Sequence, residues 1–199
     1  MIPKNINFPQ VVKMLAAAFL GLALAGCASV RLVDNDVTTF SSWPAVPPGP
    51  NTPFRFERLP SQQADPGQAE LEALARTALS KVGLVDSPVT ARYSVQVNVT
   101  TEVVERFVED PFYPYGRPSW AFGGPFGYGF PMTERVYKRN LTLLVRDLAS
   151  NQVTFESRAV HDGPWRDSYA IVPAMLEAAV QGFPQPPNGT RRVNVQIPR

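Results

Sequence analysis

Tyr93-Ser94-Val95-Gln96-Val97-Asn98-Val99-Thr100 is the stretch whose pattern organises the rest of this chain. Every second residue is apolar and the residues between are polar. Successive side chains of a strand point to opposite faces, so this period describes a strand with one covered face and one wetted face. Two later stretches repeat it. Tyr137, Leu141, Leu143 and Val145 alternate, with Arg139 breaking the pattern, and Val153, Phe155 and Ala159 follow. Asp147-Leu148-Ala149-Ser150-Asn151-Gln152 supplies turn residues between them, which predicts an antiparallel hairpin. Val193, Val195 and Ile197 predict a last strand, and Phe54-Arg55-Phe56-Glu57 a short earlier one. Residues 28–42 read as a first strand, with Val30, Leu32, Val37 and Phe40 as candidate buried positions.

Two segments carry helical spacing instead. Asp65-Pro66 offers an N-cap and a proline at the first helical position. Leu71, Leu74, Ala75, Ala78, Leu79 and Val82 then share one face, and Gly83 stands where a helix ends. Ser168 can cap a second helix, with Val172, Met175, Leu176, Ala179, Val180 and Phe183 on one face and Gly182 and Pro184 as stops. Pro173 is tolerated only near the first turn, which places the start at 168–172. Trp43 to Pro53 holds five prolines and reads as an extended connector. The expected fold class is α+β, a two-layer sandwich of a mostly antiparallel sheet with two helices on one face.

Upstream, an apolar stretch from Met14 to Ala25 sits behind Lys4 and Lys13 and ends in Leu24-Ala25-Gly26-Cys27. It is well short of the ~20 residues that span a bilayer. A positive start, a short apolar core and small residues before a cysteine resemble the lipobox of a bacterial lipoprotein signal, with Leu24, Ala25 and Gly26 as the recognised positions. Cys27, the chain's one cysteine, is then the lipidated N-terminus. Several acyl chains on it make a stable anchor where one would bind only marginally. Ala28 in place of aspartate favours the outer membrane over the inner, with the protein facing the periplasm.

Of 199 residues, removal of 1–26 leaves 173, enough for one domain. The division expected is 1–26 signal, 27–53 lipidated N-terminus with first strand and connector, and 54–199 the α+β domain. The 19 basic residues fall to 17 with the signal, against 17 acidic. A neutral body lacks the clustered positive charge that nucleic acid requires, so none is expected as a partner. With one cysteine no internal disulfide forms, and the core alone must hold the fold.

Residues 107–132 stand apart in composition. Phe107, Phe112, Tyr113, Tyr115, Trp120, Phe122, Phe126, Tyr128 and Phe130 are aromatic, five residues are glycine and five proline. That density of glycine and proline precludes long regular elements. One reading is a passive insertion. The other is an adhesive surface for an envelope protein, a membrane interface or a glycan, because exposed aromatics make the kind of apolar patch that marks a partner. On the second reading the contact residues are Phe112, Tyr113, Tyr115, Trp120, Phe122, Phe126, Tyr128 and Phe130.

Little in the chain suggests chemistry. His161 is the single histidine, and His161-Asp162 with Ser168 invites a hydrolase reading, but no presented serine turn of the Gly-x-Ser-x-Gly kind occurs. His161 is expected at a strand end or in a loop. The usual ligands for a transition metal are missing, no Asp-rich calcium loop is present, and Gly123-Gly124 and Gly127 lack the lysine and helix of a phosphate loop. Neither metal nor cofactor is expected.

Several segments resemble a family of bacterial lipoproteins, the domain of unknown function 4136 family. They are Phe54-Arg55-Phe56, Ala91-Arg92-Tyr93-Ser94-Val95, Asn140-Leu141-Thr142-Leu143-Leu144-Val145-Arg146-Asp147, Val153-Thr154-Phe155-Glu156-Ser157-Arg158-Ala159 and Ala178-Ala179-Val180-Gln181-Gly182-Phe183-Pro184. Arg92 stands where members commonly have aspartate. The resemblance implies an envelope lipoprotein with an α+β domain and carries over no catalytic residues. The function expected is non-enzymatic, an accessory or structural role through partner binding. A lipid- or glycan-binding module is the alternative, and a hydrolase near His161 the third.

Overall fold

The strand that begins at Tyr93 runs to Val108, past the end of the alternation near Thr100, and is one of the two longest of a seven-stranded sheet. A computed structural model describes residues 30–44, 46–108, 132–187 and 189–198. The elements in order are β1 Val30–Ser41, β2 Thr52–Phe56, α1 Pro60–Gln63, α2 Gln68–Lys81, β3 Leu84–Asp86, β4 Tyr93–Val108, β5 Met132–Asp147, β6 Gln152–Gly163, α3 Ser168–Val180 and β7 Gly189–Pro198. Internal contacts divide the chain into 33–195 and a second unit of 1–32 with 196–199. The described residues of that second unit, 30–32 and 196–198, are extended. The core and the candidate site belong to 33–195.

The sheet order is β3-β2-β4-β5-β6-β1-β7. β4, β5, β6 and β1 pair antiparallel in turn. β2 runs parallel to both β3 and β4. The mixed sheet overturns the expected two-layer sandwich with two helices: this is a sheet-dominated α+β fold with three helices among the described residues. The reason is local. The chain returns from β2 to β3 through α1 and α2, and such a crossover makes a parallel pair where a short turn would make an antiparallel one. β3 and α1, three and four residues long, are too short to show a period.

On the covered face lie Tyr93, Val95 and Val97 of β4, Leu141, Leu143 and Val145 of β5, and Phe155 and Ala159 of β6, all essentially inaccessible. α2 packs on β4 and β3, α3 on β6 and β5, and the helices pack on each other. α3 is apolar almost all round, and Ile171, Met175, Leu176, Ala178 and Ala179 are fully buried. Gln96, Asn98 and Thr100 of β4 face the other way and stay wet. The expected hairpin is present, with Asp147 Oδ1 accepting the Ala149 and Ser150 N–H groups. A register shift between Val145 and Arg146 is covered by Thr154, whose hydroxyl donates to the Val145 carbonyl.

Of the four positions of β1 expected to be buried, only Val37 is. Val33, Asn35, Val37 and Thr39 point inward, whereas Val30, Leu32 and Phe40 are exposed, Phe40 by 59%. Strict alternation through Val37 forces this, and the buried polar residues find donor-side partners, although Asn35 Oδ1 has none among the described residues. Asn35 Nδ2 donates to the Val33 and Val193 carbonyls and the Thr39 hydroxyl to that of Pro187. The helix caps also shift. α2 starts at Gln68 behind Gly67, with Asp65 Oδ1 accepting the Gly67 N–H in a turn before the helix. Asp167, not Ser168, caps α3, and Pro173 lies inside that helix rather than in its first turn.

Gly83 closes α2 with φ of 88°, and an added Cβ would lie 3.1 Å from the Pro50 Cα. Both the left-handed backbone and the close approach exclude a side chain. Gly83→Ala is therefore expected to cost about 1–3 kcal/mol, read as a lowered midpoint in urea at an unchanged slope.

Candidate functional site

The N-terminal ends of α2 and α3 meet above β4 and leave a groove of about 320 Å³. Its floor is apolar: Leu71 and Leu74 from α2, Val172 from α3 and Val99 from β4. Asp65, Glu70 and Ser168 give it a polar rim, with the ring of Tyr169 standing 74% exposed. Pro173 has no N–H to give the Tyr169 carbonyl four residues back, so the first turn of α3 has one helical bond fewer at this rim.

Side-chain amides seat α2 on the sheet. β2 pairs with β4 only from Tyr93 to Val95. Beyond that, Gln62 and Gln68 donate their Nε2 groups to the Val97 carbonyl at 2.9 and 3.2 Å. Arg58 clamps Glu72 through Nε and Nη2 at 2.6 and 2.7 Å, and Gln68 adds a weaker bond. The Arg58 guanidinium holds the Glu72 carboxyl below the usual carboxylate range, against a burial effect that pushes it up. A carboxyl whose folded pKa is depressed adds stability above its unfolded value of about 4.3 and loses it as pH falls through the folded value. Glu72→Gln should therefore be less stable than wild type near neutrality. It should also lose less of its stability between about pH 6 and pH 3, measured by urea unfolding at each pH.

Behind the groove lies Arg139, the residue that interrupted the apolar alternation in the sequence. It does not turn away. It points to the covered face beside Leu141 and is fully buried. Its Nη2 donates to the Trp165 carbonyl at 2.8 Å, and Nε and Nη2 both reach Ser168 Oγ, at 3.3 and 3.2 Å. Its Cζ stands 5.6 Å from the centre of the Tyr137 ring. Nη1 finds no partner among the described residues. Burial pushes this guanidinium below its ordinary value, and Asp167 partly offsets that. Arg139 thus ties the loop between β6 and α3, and the Ser168 edge of the groove, to the middle of the sheet.

His161 pairs with Arg139 across the strands and is likewise buried, near the end of β6. Its Nδ1 lies 2.7 Å from the Asp34 carbonyl. A carbonyl only accepts, so Nδ1 is the donor, and Nε2 has no partner among the described residues. The ring stacks on Trp165 at 5° between planes. The hydrolase grouping suggested by the sequence is not assembled. Ser168 is engaged by Arg139, and Asp162 points to the opposite face, with Asp34, Asp36 and Arg192 around a separate recess. Among the described residues no group of three or more His, Cys, Asp or Glu is placed to hold a metal ion.

The lipobox residues Leu24, Ala25, Gly26 and Cys27 lie outside the described residues, as do Phe112, Tyr113, Tyr115, Trp120, Phe122, Phe126, Tyr128 and Phe130. Among the described residues no helix is long and apolar enough to cross a membrane. Arg92 donates its backbone N–H to the Pro53 carbonyl, and its guanidinium lies 5.1 Å from the Tyr93 ring centre and 4.0 Å from Asp147.

No curated protein matches the chain by sequence. A PDZ domain protein from Parabacteroides distasonis is similar in structure, at 16% identity and a TM-score of 0.49 over 98% of this chain. This chain spans 44% of that protein. A PelC dodecamer from Paraburkholderia phytofirmans is similar over 76% of this chain and 99% of its own, at 12% identity and a TM-score of 0.43. At TM-scores below 0.5 these likenesses decide nothing about this chain. The family model described as a domain of unknown function, DUF4136, matches residues 34–185, from β1 to beyond α3. With that match covering most of its length, the chain belongs to the DUF4136 family.

Proposed function

We propose that this chain is a lipid-anchored protein of the bacterial cell envelope, held on the outer membrane and facing the periplasm. It works by binding another envelope protein rather than by catalysis. The anchor is supported by Leu24-Ala25-Gly26-Cys27 behind its short apolar stretch. Partner binding is supported above all by the form of β4 and β5.

The pairing of β5 with β6 reaches Tyr137 and Gly163 and stops. β4 and β5 run on together as a two-stranded arm to the Val108–Met132 pair. Such a ribbon buries little and is marginal by itself. This one is reinforced by opposed charges, Glu105 against Arg135 and Arg106 against Glu134. Val103 and Val104 on it are 54% and 38% exposed. Val108 and Met132 are joined by 109–131, whose eight aromatic residues carry large apolar side chains.

Radiolabelled palmitate tests the anchor. Wild type should take up label and sediment with outer-membrane fragments, and Cys27→Ser should take up none and leave that fraction. Equal labelling, or unchanged fractionation of Cys27→Ser, would overturn it.

A further inference from the structure

β4 has one edge that no described strand occupies past Val95. The Val95 carbonyl accepts the Glu57 N–H, and the Val97 carbonyl accepts Gln62 and Gln68. Odd-numbered residues of β4 therefore turn their peptide groups to this edge, and even-numbered ones bond β5. From Val99 through Thr101 and Val103 to Glu105 the edge offers N–H and C=O groups at strand spacing. Edge strands are ordinarily blunted by proline, a bulge or brevity. β4 has no proline, and its register with β5 is unbroken from Tyr93 to Val108.

The groove adjoins this edge, since Asn98 and Val99 line it. A strand laid beside β4 would send alternate side chains toward the groove. The floor of Leu71, Leu74 and Val99 suits an apolar side chain. The rim selects by charge. Asp65 and Glu70 both line the groove, no lysine or arginine does, and Glu70 has no ion-pair partner among the described residues.

We propose that the free edge of β4 takes an extended segment of a partner protein as an added strand, with an apolar side chain in the groove and a basic one beside Asp65 and Glu70. Main-chain pairing supplies affinity and the groove supplies selectivity. The proposal rests on the partner-binding reading but uses residues of α2, α3 and β4 rather than 109–131.

The test is a library of synthetic heptapeptides, threonine at odd positions and randomised apolar, basic and acidic residues at even ones, captured on the full chain in detergent. The expected winners carry lysine or arginine two positions from a large apolar residue. They slow hydrogen exchange at Val99, Thr101 and Val103. Their Kd rises at least about tenfold with Thr101→Pro, which removes an outward N–H without touching the β5 ladder. The same winners methylated on alternate amides should fail against wild type, an arm that needs no protein variant. Capture of no peptide, capture without charge preference, or equal binding by methylated peptides overturns the proposal. So do edge amides already protected in the free chain: protection that rises with concentration gives the edge to a second copy, and protection that does not gives it to another part of this chain. Deleting 111–130 separates the two readings, because peptide capture should survive it even where the envelope partners are lost.

Discussion

Arg139→Ala should lower the unfolding free energy by about 2–4 kcal/mol, the sum of a cavity and lost hydrogen bonds. Arg139→Met should cost about 1 kcal/mol or less. The contrast follows from what the guanidinium touches. Its hydrogen bonds go to neutral acceptors, the Trp165 carbonyl and Ser168 Oγ, and Nη1 has none among the described residues. A fully buried cation held this way sacrifices hydration without a matched ion pair, so an apolar chain of similar length recovers most of its packing. Alanine does not, because nothing then fills the space under the loop from Gly163 to Ser168. Urea unfolding of the three proteins decides the matter. If methionine proves as costly as alanine, the charge itself holds the loop, through Asp167.

Phe155→Ala should be costlier still, about 3–5 kcal/mol. Phe155 is fully buried and meets Phe183 edge to face with ring centres 5.0 Å apart. Phe183 in turn meets Trp43 at 5.7 Å, and Trp43 meets Tyr93 at 5.8 Å, while the Trp43 indole N–H donates to the Pro184 carbonyl at 2.8 Å. This chain of rings links β6, the end of α3, the segment after β1 and the start of β4. Phe183→Ala should cost less, because Phe183 is only half-buried. A double-mutant cycle between Phe155 and Phe183 should return a coupling of about 0.5–1.5 kcal/mol. Additive effects would show that the two rings stabilise the fold independently.

The parts of this fold that could be read from sequence are those where one residue's neighbours along the chain decide its environment. Val95, Val97, Leu141, Leu143 and Phe155 sit where their alternation puts them, and the hairpin at Asp147 forms because its own side chain bonds the turn. β1 misleads because burial there does not follow polarity: Asn35 and Thr39 are inward and donate to distant carbonyls, and Phe40 is outward. β3 and α1 are too short for any period to emerge. Arg139 looked like an interruption since its acceptors come from a loop more than twenty residues later, and nothing local marks that pairing. The groove is built from α2, α3 and β4 together, so no stretch of sequence contains it. His161 drew attention as the single histidine, but Arg139 beside it forms more of the contacts.

Cross-linking and mass spectrometry in the native envelope test the central claim, that this chain acts by holding a partner. Wild type is compared with a variant lacking 111–130. The account predicts defined envelope proteins cross-linked to the wild type and lost from the deletion, while the deletion's thermal unfolding is little changed. The same partners persisting at equal yield on a folded deletion variant would contradict it.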